Sequence, residues 1–499
     1  MTAPRQCELV VIGAGGAGLA AAIEAARAGA KVVVFEKGAR PGGTTAWSVG
    51  SYTSSATPHQ QRNGVKDGPE AHFADMDLVN ARAIAKGHSD NLVLRRLLTD
   101  NAPDTFQWLM DLGMEFIGPN PEPPHTQPRM HNILPNSSAF PHFLLRECRR
   151  LGVSVECDSE LVDIELENGV AVGVSIKDSK GVVRKVSASR AIILATGDFA
   201  ASVELRNRFF GPEVAKAIPV NPLATGDGIR IAESHGARII NAGHANAPRM
   251  RFVPAPQGWI HKIPPARFVT RMIRLCWERL PQIIMRPILM RFLTTALGPE
   301  PTLFKCGAML IDAEGNPVPV DEENIARHLA CNAVNKAYIV FDSTTAAQLE
   351  RWPNFVSTAP GVAYAYLKDY RVARRDIYFE GPSIEALAGQ VGISARRLGE
   401  TVDAENLKRA TEGRPGLVTP PYFALGPACA YITIMEGGID VDEQLRVLGA
   451  KGTPIPRLYA AGSTGQGGLL IEGHGHHIAW AFVSGRLAGK NAVVSAVSA

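Results

Sequence analysis

The stretch Leu9-Val10-Val11-Ile12-Gly13-Ala14-Gly15-Gly16-Ala17-Gly18 constrains the fold of this chain more than any other. An apolar strand runs into G-x-G-x-x-G, and an alanine-rich helix over 19–28 follows. A second apolar strand, Val33-Val34-Phe35, then ends at Glu36, eighteen residues beyond Gly18. The glycines have separate tasks. Gly13 permits a tight turn, Gly15 lets the backbone approach a pyrophosphate, and Gly18 lets helix and strand pack closely. Glu36 is placed to accept from a ribose hydroxyl. Gly16 and Ala17 lie where the amide-rich, positive end of the helix would receive phosphates. The segment predicts β-α-β over 8–36 and a Rossmann-like α/β domain that binds a dinucleotide.

The rest of the chain says which dinucleotide. After Glu36 comes Lys37-Gly38-Ala39-Arg40-Pro41-Gly42-Gly43-Thr44-Thr45, a loop of glycines and small hydroxyl residues that a nicotinamide enzyme does not need here. An extended FAD would run beside Gly42, Gly43, Thr44 and Thr45 towards its flavin. Two distant segments agree: Ala191 to Asp198, carrying Ala195, Thr196 and Gly197, and Leu458 to Ser463, carrying Gly462. Each reads as a short buried strand ending in small residues, where backbone and cofactor come close. The expected cofactor is noncovalently held FAD, on a domain that is discontinuous in sequence.

These features, with Thr225-Gly226-Asp227-Gly228, Gly437-Gly438 and the closing Ser484-Gly485-Arg486-Leu487-Ala488-Gly489, run in order along nearly the whole chain. In them the sequence resembles the flavoprotein family that includes soluble fumarate reductases and 3-ketosteroid dehydrogenases. The resemblance implies an FAD domain with an inserted α+β capping domain and a substrate held between them. Expected boundaries are 1–240 for the first part of the FAD domain, 241–415 for the cap and 416–499 for the C-terminal part. It also implies forming or reducing a C=C bond next to a carbonyl or carboxylate. Asp227, Ser463, Gly475, His477 and Ile478 join the implied cofactor contacts.

Bulk properties exclude other classes. A net charge of +4 on 499 residues gives no nucleic-acid footprint, and seven scattered cysteines without C-x-x-C spacing read as reduced thiols. The first strand begins within about eight residues, leaving no room for a signal peptide, and no run approaches the ~20 apolar residues of a membrane span. A cytoplasmic location is expected. One segment qualifies it: from Arg249 to Phe292 there are nine Lys or Arg residues against one acid, Glu278. Bulky apolar residues stand between them, and Arg267, Arg271, Arg274 and Glu278 fall on one helical face. Such a pattern suits either a helix on an anionic membrane surface, here through 262–292 on the inner leaflet, or a cap helix with solvated arginines. Pro264, Pro265, Pro281 and Pro287 should limit the segment to short helices.

Other elements follow from periodicity. A helix is expected over 91–112, antiparallel strands over 153–157, 160–166, 170–177 and 182–187, and a hairpin turn at Asn168-Gly169. The strand 190–196 returns to the FAD sheet, a helix runs over 226–235, and the chain re-enters the FAD domain around 416–430.

The resemblance breaks where substrate would bind. Fumarate reductases carry a His-Pro-Thr after the Thr-Gly-Asp-Gly helix, a histidine three before the later Gly-Gly, and an arginine before the last helix. Here those regions hold Ala242-Gly243-His244-Ala245-Asn246, Ile434 and Glu472. A carboxylate at Glu472 repels a dicarboxylate. The Gly473-x-Gly475 spacing is closer to ketosteroid dehydrogenases, but Ile471 stands at their ketone-polarising tyrosine. The expected proton-handling residues are Tyr431, His474, His476 and Tyr52, with His244 and Arg327 as weaker candidates. The spacing of His474, His476 and His477 fits no metal site. The leading expectation is an FAD-dependent dehydrogenase or reductase of an apolar or cyclic, ketosteroid-like substrate. Alternatives are an unsaturated-carboxylate reductase and a non-catalytic electron-relay subunit. With no second dinucleotide fingerprint, electrons must come from or go to an external quinone or redox protein.

Overall fold

The computed structural model describes residues 5–244, 248–255, 263–321, 324–359 and 363–494. Its first sheet has the order Arg446–Leu448, Pro454–Ala460, Val183–Leu194, Arg5–Ile12, Val32–Phe35, Ser154–Glu156, with the Ser159–Glu167/Val170–Asp178 hairpin joined to Val183–Leu194. Arg5–Ile12 lies parallel to both Val32–Phe35 and Val183–Leu194. The strands of this centre are buried on both faces and are therefore continuous runs of Val, Ile and Leu. The connection through the helix Gly16–Arg27 goes to one side of the first strand, and Val183–Leu194 and Pro454–Ala460 lie on the other. That reversal creates a crevice at the carboxyl ends of Arg5–Ile12 and Val183–Leu194, where α/β sheets bind ligands.

Two expectations change here. Residues 153–157 do not form an antiparallel strand: Ser154–Glu156 pairs parallel with Val32–Phe35 and extends the FAD sheet. The strands expected separately at 182–187 and 190–196 are one, Val183–Leu194, whose first half closes the meander and whose second half serves the parallel sheet. Asn168 and Gly169 both take positive φ, +50° and +80°, as a tight two-residue hairpin turn requires.

The last helix, His476–Val494, lies against Gly16–Arg27. Gly485 and Gly489 make that approach possible: a Cβ on either would stand 2.3 Å from the carbonyl oxygen of Ala17 or Ala21.

The second sheet is built on Tyr422–Ile432, which pairs with Ile218–Pro219, Arg249–Phe252, Ala337–Asp342 and Tyr378–Gly381. The expected return to the FAD domain at 416–430 is therefore corrected, because this strand is the spine of the cap sheet. Asp342 and Ser383 cap the helices Ser343–Gln348 and Ile384–Val391, accepting from the amides of Thr345 and Ala386. The basic segment forms two helices, Arg267–Arg279 and Gln282–Ala296, and Pro287 lies inside the second instead of ending it. Lys262 lies outside the described residues. Among the described residues no helix is long and apolar enough to cross a membrane.

Candidate active site

The crevice is shaped by glycines. At Gly13, with φ +100°, a Cβ would lie 2.3 Å from Ala195 O, and at Gly18 one would lie 1.9 Å from Gly13 O. At Gly15 the only neighbour within 4 Å is the Cα of Gly43, at 3.9 Å, and at Gly197 there is none. Gly15 and Gly43 thus face one another as bare backbone beside the N-terminus of Gly16–Arg27, where the N-cap residue Gly15 has no side chain to offer. Thr45 Oγ1 accepts from the Gly16 amide at 3.2 Å, fixing the loop against the helix. This is a cradle for a pyrophosphate.

Glu36 is held at the end of its strand by the amides of Ala14 and Gly38, each donating to one carboxylate oxygen at 2.7 Å. Both oxygens keep a lone pair for ribose hydroxyls. Lys37 forms an ion pair with Asp227 at 2.7 Å, tying the two dinucleotide-side loops together. Thr44 Oγ1 accepts from Asn221, and Thr196 Oγ1 meets Thr464 Oγ1, which donates to Gly197 O. The Gly462 amide donates to Ser484 of the last helix, and Ala17 packs against Gly462 and Gly485. Ser463 and Ile478 are half-buried on the same side. Glycine, hydroxyl and carboxylate donors in this order fit FAD.

Beneath this region sits a polar cluster. His477 Nε2 is 3.0 Å from the carboxylate of Glu436, which also accepts from Gln466. Burial pushes the His477 pKa down, but the Glu436 charge and hydrogen bond outweigh it and the net direction is up. Burial likewise opposes the ionised Glu436, yet His477 and Gln466 leave it below its ordinary value. Asp198, 1% exposed, accepts from the Ala200 amide at 2.6 Å, and burial raises its pKa to about 7.

A second candidate cleft is bounded by the cap strand Arg249–Phe252 and the loop before the last helix, whose Glu472 carboxylate acts electrostatically on Arg249. Arg249 is paired across the antiparallel ladder with Tyr431, and Arg251 with Cys429. Directly opposed residues share a face, and so do residues two apart, so Arg249, Arg251 and Tyr431 present one surface. Arg249 is exposed, yet desolvation lowers its pKa, with Arg82 adding and Glu472 and Glu300 opposing. The buried carboxylate of Glu472 is 3.4 Å from His244 Nε2, and the His244 ring packs on His88 at 4.3 Å. The acid found in place of the family's cation thus faces a buried imidazole ring. Desolvation raises the Tyr431 pKa, and the Arg251 charge partly counters it. A separate cavity of about 490 Å³ lies between Trp277 and Glu278 on one side and His59 and Ile117 on the other, and shares no residue with this cleft.

The sequence expectations for catalysis divide. Tyr431 is in the cleft. Tyr52 is corrected: it is fully buried and its hydroxyl donates to Ala102 O, so it packs the core against Phe106. His476 is corrected too. It is fully buried, with Nδ1 donating to Glu472 O and Nε2 3.1 Å from His72 Nε2. Because a carbonyl only accepts, His476 carries its proton on Nδ1 and His72 carries its own on Nε2. Burial holds the pKa of His476 down near 3 and that of neighbouring His125 near 4. These imidazoles are neutral packing groups. His474 is 62% exposed and bonds Glu122 at 2.8 Å, outside the Arg249–Glu472 cluster. Arg327 is exposed on the helix Ile325–Cys331. Sequence reasoning missed Arg249 and Arg251 as site residues because they open the basic run of the cap, and only the strand register separates them from it.

A discontinuous dinucleotide-binding sheet with a glycine cradle, crossed by a capping sheet that faces it with polar side chains, defines a flavin-dependent oxidoreductase. The chain belongs to the FAD binding domain family, whose profile matches residues 8–263 and 307–470. It is 32% identical over 260 residues to the acrylate reductase flavoprotein subunit of Shewanella woodyi, covering 48% of this chain and 49% of that one. It is 24% identical over 519 residues to the vinyl phenol reductase of Lactiplantibacillus plantarum, covering 97% and 96%. Among solved structures, the open conformation of a flavocytochrome c3 fumarate reductase matches with a TM-score of 0.73 at 21% identity, over 99% of this chain and 79% of that one. The 3-ketosteroid-Δ4-(5α)-dehydrogenase of Rhodococcus jostii RHA1 matches with a TM-score of 0.62 at 22% identity, over 99% and 98%. These likenesses establish the fold: an α/β FAD domain, discontinuous in sequence, with an inserted α+β cap.

Proposed function

We propose that this protein reduces a C=C bond conjugated to a carboxylate, on a substrate with one carboxylate and an otherwise uncharged body. The observation that carries the reading is the shared face of Arg249, Arg251 and Tyr431, with the Glu472 charge acting on Arg249. Guanidinium groups match a carboxylate through paired N–H donors. Glu472 lies at the same cleft and opposes a second carboxylate, which separates this site from one built for fumarate. Gly13–Gly18, Glu36 and Gly42–Thr45 would hold FAD, which, once reduced by the external electron donor, would supply a hydride equivalent to the β carbon. Arg249 and Arg251 hold the carboxylate and draw charge towards it as the α carbon becomes electron-rich. Tyr431, whose raised pKa keeps its proton on Oη at neutral pH, donates that proton to the α carbon. The cap strand shields the reacting carbons from water.

The relatives named as acrylate and vinyl phenol reductases agree with a small conjugated alkene. A ring ketone, the leading expectation from sequence, would use Tyr431 as its donor and would offer a guanidinium one carbonyl oxygen instead of the two oxygens of a carboxylate. Electrons enter from an external quinone or redox protein. The test is anaerobic reoxidation of the reduced holoenzyme by acrylate-type acids, fumarate and cyclic enones. The acids should reoxidise it fastest. Arg249→Gln should raise KM for them, and Tyr431→Phe should lower kcat by about a hundredfold or more. Faster reoxidation by enones, unaffected by Arg249→Gln, would overturn the reading.

A further inference from the structure

The family profile passes over residues 264–306, and this is where the two helices of the basic segment lie. They rest on the body of the protein by narrow faces. Thr270 is the buried residue of Arg267–Arg279, and Met290, Leu293 and Thr294 anchor Gln282–Ala296. Their outer faces are apolar. Phe268 is 74% exposed, Met272 50%, Leu275 44%, Leu280 40%, Ile284 55% and Ile288 46%. In the first helix 268, 272 and 275 follow the i, i+4, i+7 spacing of one stripe, and in the second 284 and 288 do the same. Large apolar side chains gathered in this way are unusual on a free surface and mark a contact site.

The charges beside the stripe identify what it contacts. Arg267, Arg279 and Arg291 are exposed on or next to the apolar faces, and Arg271, also exposed, pairs with Glu115 at 3.3 Å. The inward-leaning cations are satisfied locally, Arg274 by Glu115 at 3.1 Å and Arg286 by Asp369 at 2.7 Å. In a two-fold dimer through this face the exposed arginines would be set against their own copies, which costs energy. An anionic bilayer has the complementary arrangement: phosphate at the level of the guanidiniums, and hydrocarbon at the level of Phe268 and Ile284. We propose that this inserted helix pair is a peripheral membrane-binding surface, seating the enzyme on anionic lipid.

The experiment is sedimentation of the full-length holoenzyme with vesicles, either phosphatidylcholine alone or equal parts phosphatidylcholine and phosphatidylglycerol. It is run at about 50 mM and about 500 mM salt, which moves the Debye length from well beyond to well within the reach of surface charges. Binding to the anionic vesicles at low salt, weakened at high salt and at least tenfold lower on phosphatidylcholine, is expected. Two variants divide the surface. Replacing Arg267, Arg279 and Arg291 by Gln should weaken binding by on the order of a hundredfold, at roughly fivefold per cation. Phe268→Ser with Ile284→Ser should abolish the part that survives high salt. All five side chains are exposed, so flavin absorbance and thermal midpoint should stay unchanged and report folding. Wild-type protein that ignores anionic vesicles at low salt, or variants that bind as well as wild type, would overturn the proposal. So would a dimer in ultracentrifugation that dissociates in the serine variant.

Discussion

Replacing Asp198 by Asn should make the folded protein more stable at alkaline pH and leave it nearly unchanged in acid. Asp198 is 1% exposed, and burial lifts its pKa from 3.8 to about 7. A carboxyl group raised in this way binds more protons in the folded state than in the unfolded chain, so its contribution is fully present below pH 3.8. It is then lost as pH rises through about 7. At about 1.4 kcal/mol per pH unit, wild type should lose about 2.5 kcal/mol relative to the variant between about pH 5 and about pH 8. Asparagine keeps an oxygen for the Ala200 amide, which donates at 2.6 Å, so the local turn survives. The assay is urea unfolding of both proteins, with excess FAD, across that range. The difference between the proteins is the observable, since every other titrating group is common to both. Parallel pH profiles would refute the argument and mean that Asp198 ionises freely in the folded state.

Gly15→Val should abolish FAD binding with little loss of fold, because its Cβ has open space but stands in the pyrophosphate path; flavin content after gel filtration checks it. Gly18→Ala should instead impair folding itself, since its Cβ would lie 1.9 Å from Gly13 O, and soluble yield with circular dichroism checks that. His477→Ala leaves Glu436 buried without its charge partner and should cost about 3–5 kcal/mol in urea unfolding at neutral pH. Here His477 is raised and Glu436 lowered, so the pair's contribution fades as pH rises through the folded His477 pKa and as it falls through the folded Glu436 pKa. Burial depresses His72, His125, His131 and His476, so each should cost about 1.4 kcal/mol per pH unit below about 6.5, and His131→Asn should flatten the acid limb of the stability curve.

The FAD side was legible because its signal is local. Turn glycines, helix start and terminal acid fall within residues 8–36, and each follows from backbone geometry that neighbours alone determine. The later cofactor strands could be read for the same reason. Tyr422–Ile432 could not be assigned, because its partners begin at Ile218 and end at Gly381, and nothing in its own alternation says which sheet receives it. His476 looked reactive in a run of histidines until His72, 404 positions away, was found bonded to it. Tyr52 follows the glycine loop closely in sequence, but its strand turns the ring inward onto Phe106. The arginine pair shows the reverse case: composition displayed both residues, and only a ladder register could separate a cleft from a surface.

The contact of Gly485 and Gly489 with Ala17 and Ala21 has a bearing on biosynthesis. The helix that receives the pyrophosphate, Gly16–Arg27, is synthesised long before His476–Val494, the helix that covers it. Through most of elongation, Leu19, Ala20 and Ile23 have no complete apolar partner, although all are fully packed at the end. A nascent chain of this kind must hold an unsealed nucleotide site until His476–Val494 emerges, and long-range closure of this sort is slow. Pulse-chase experiments should therefore show chaperone association that persists until His476–Val494 has been made, and free FAD added during translation should shorten it.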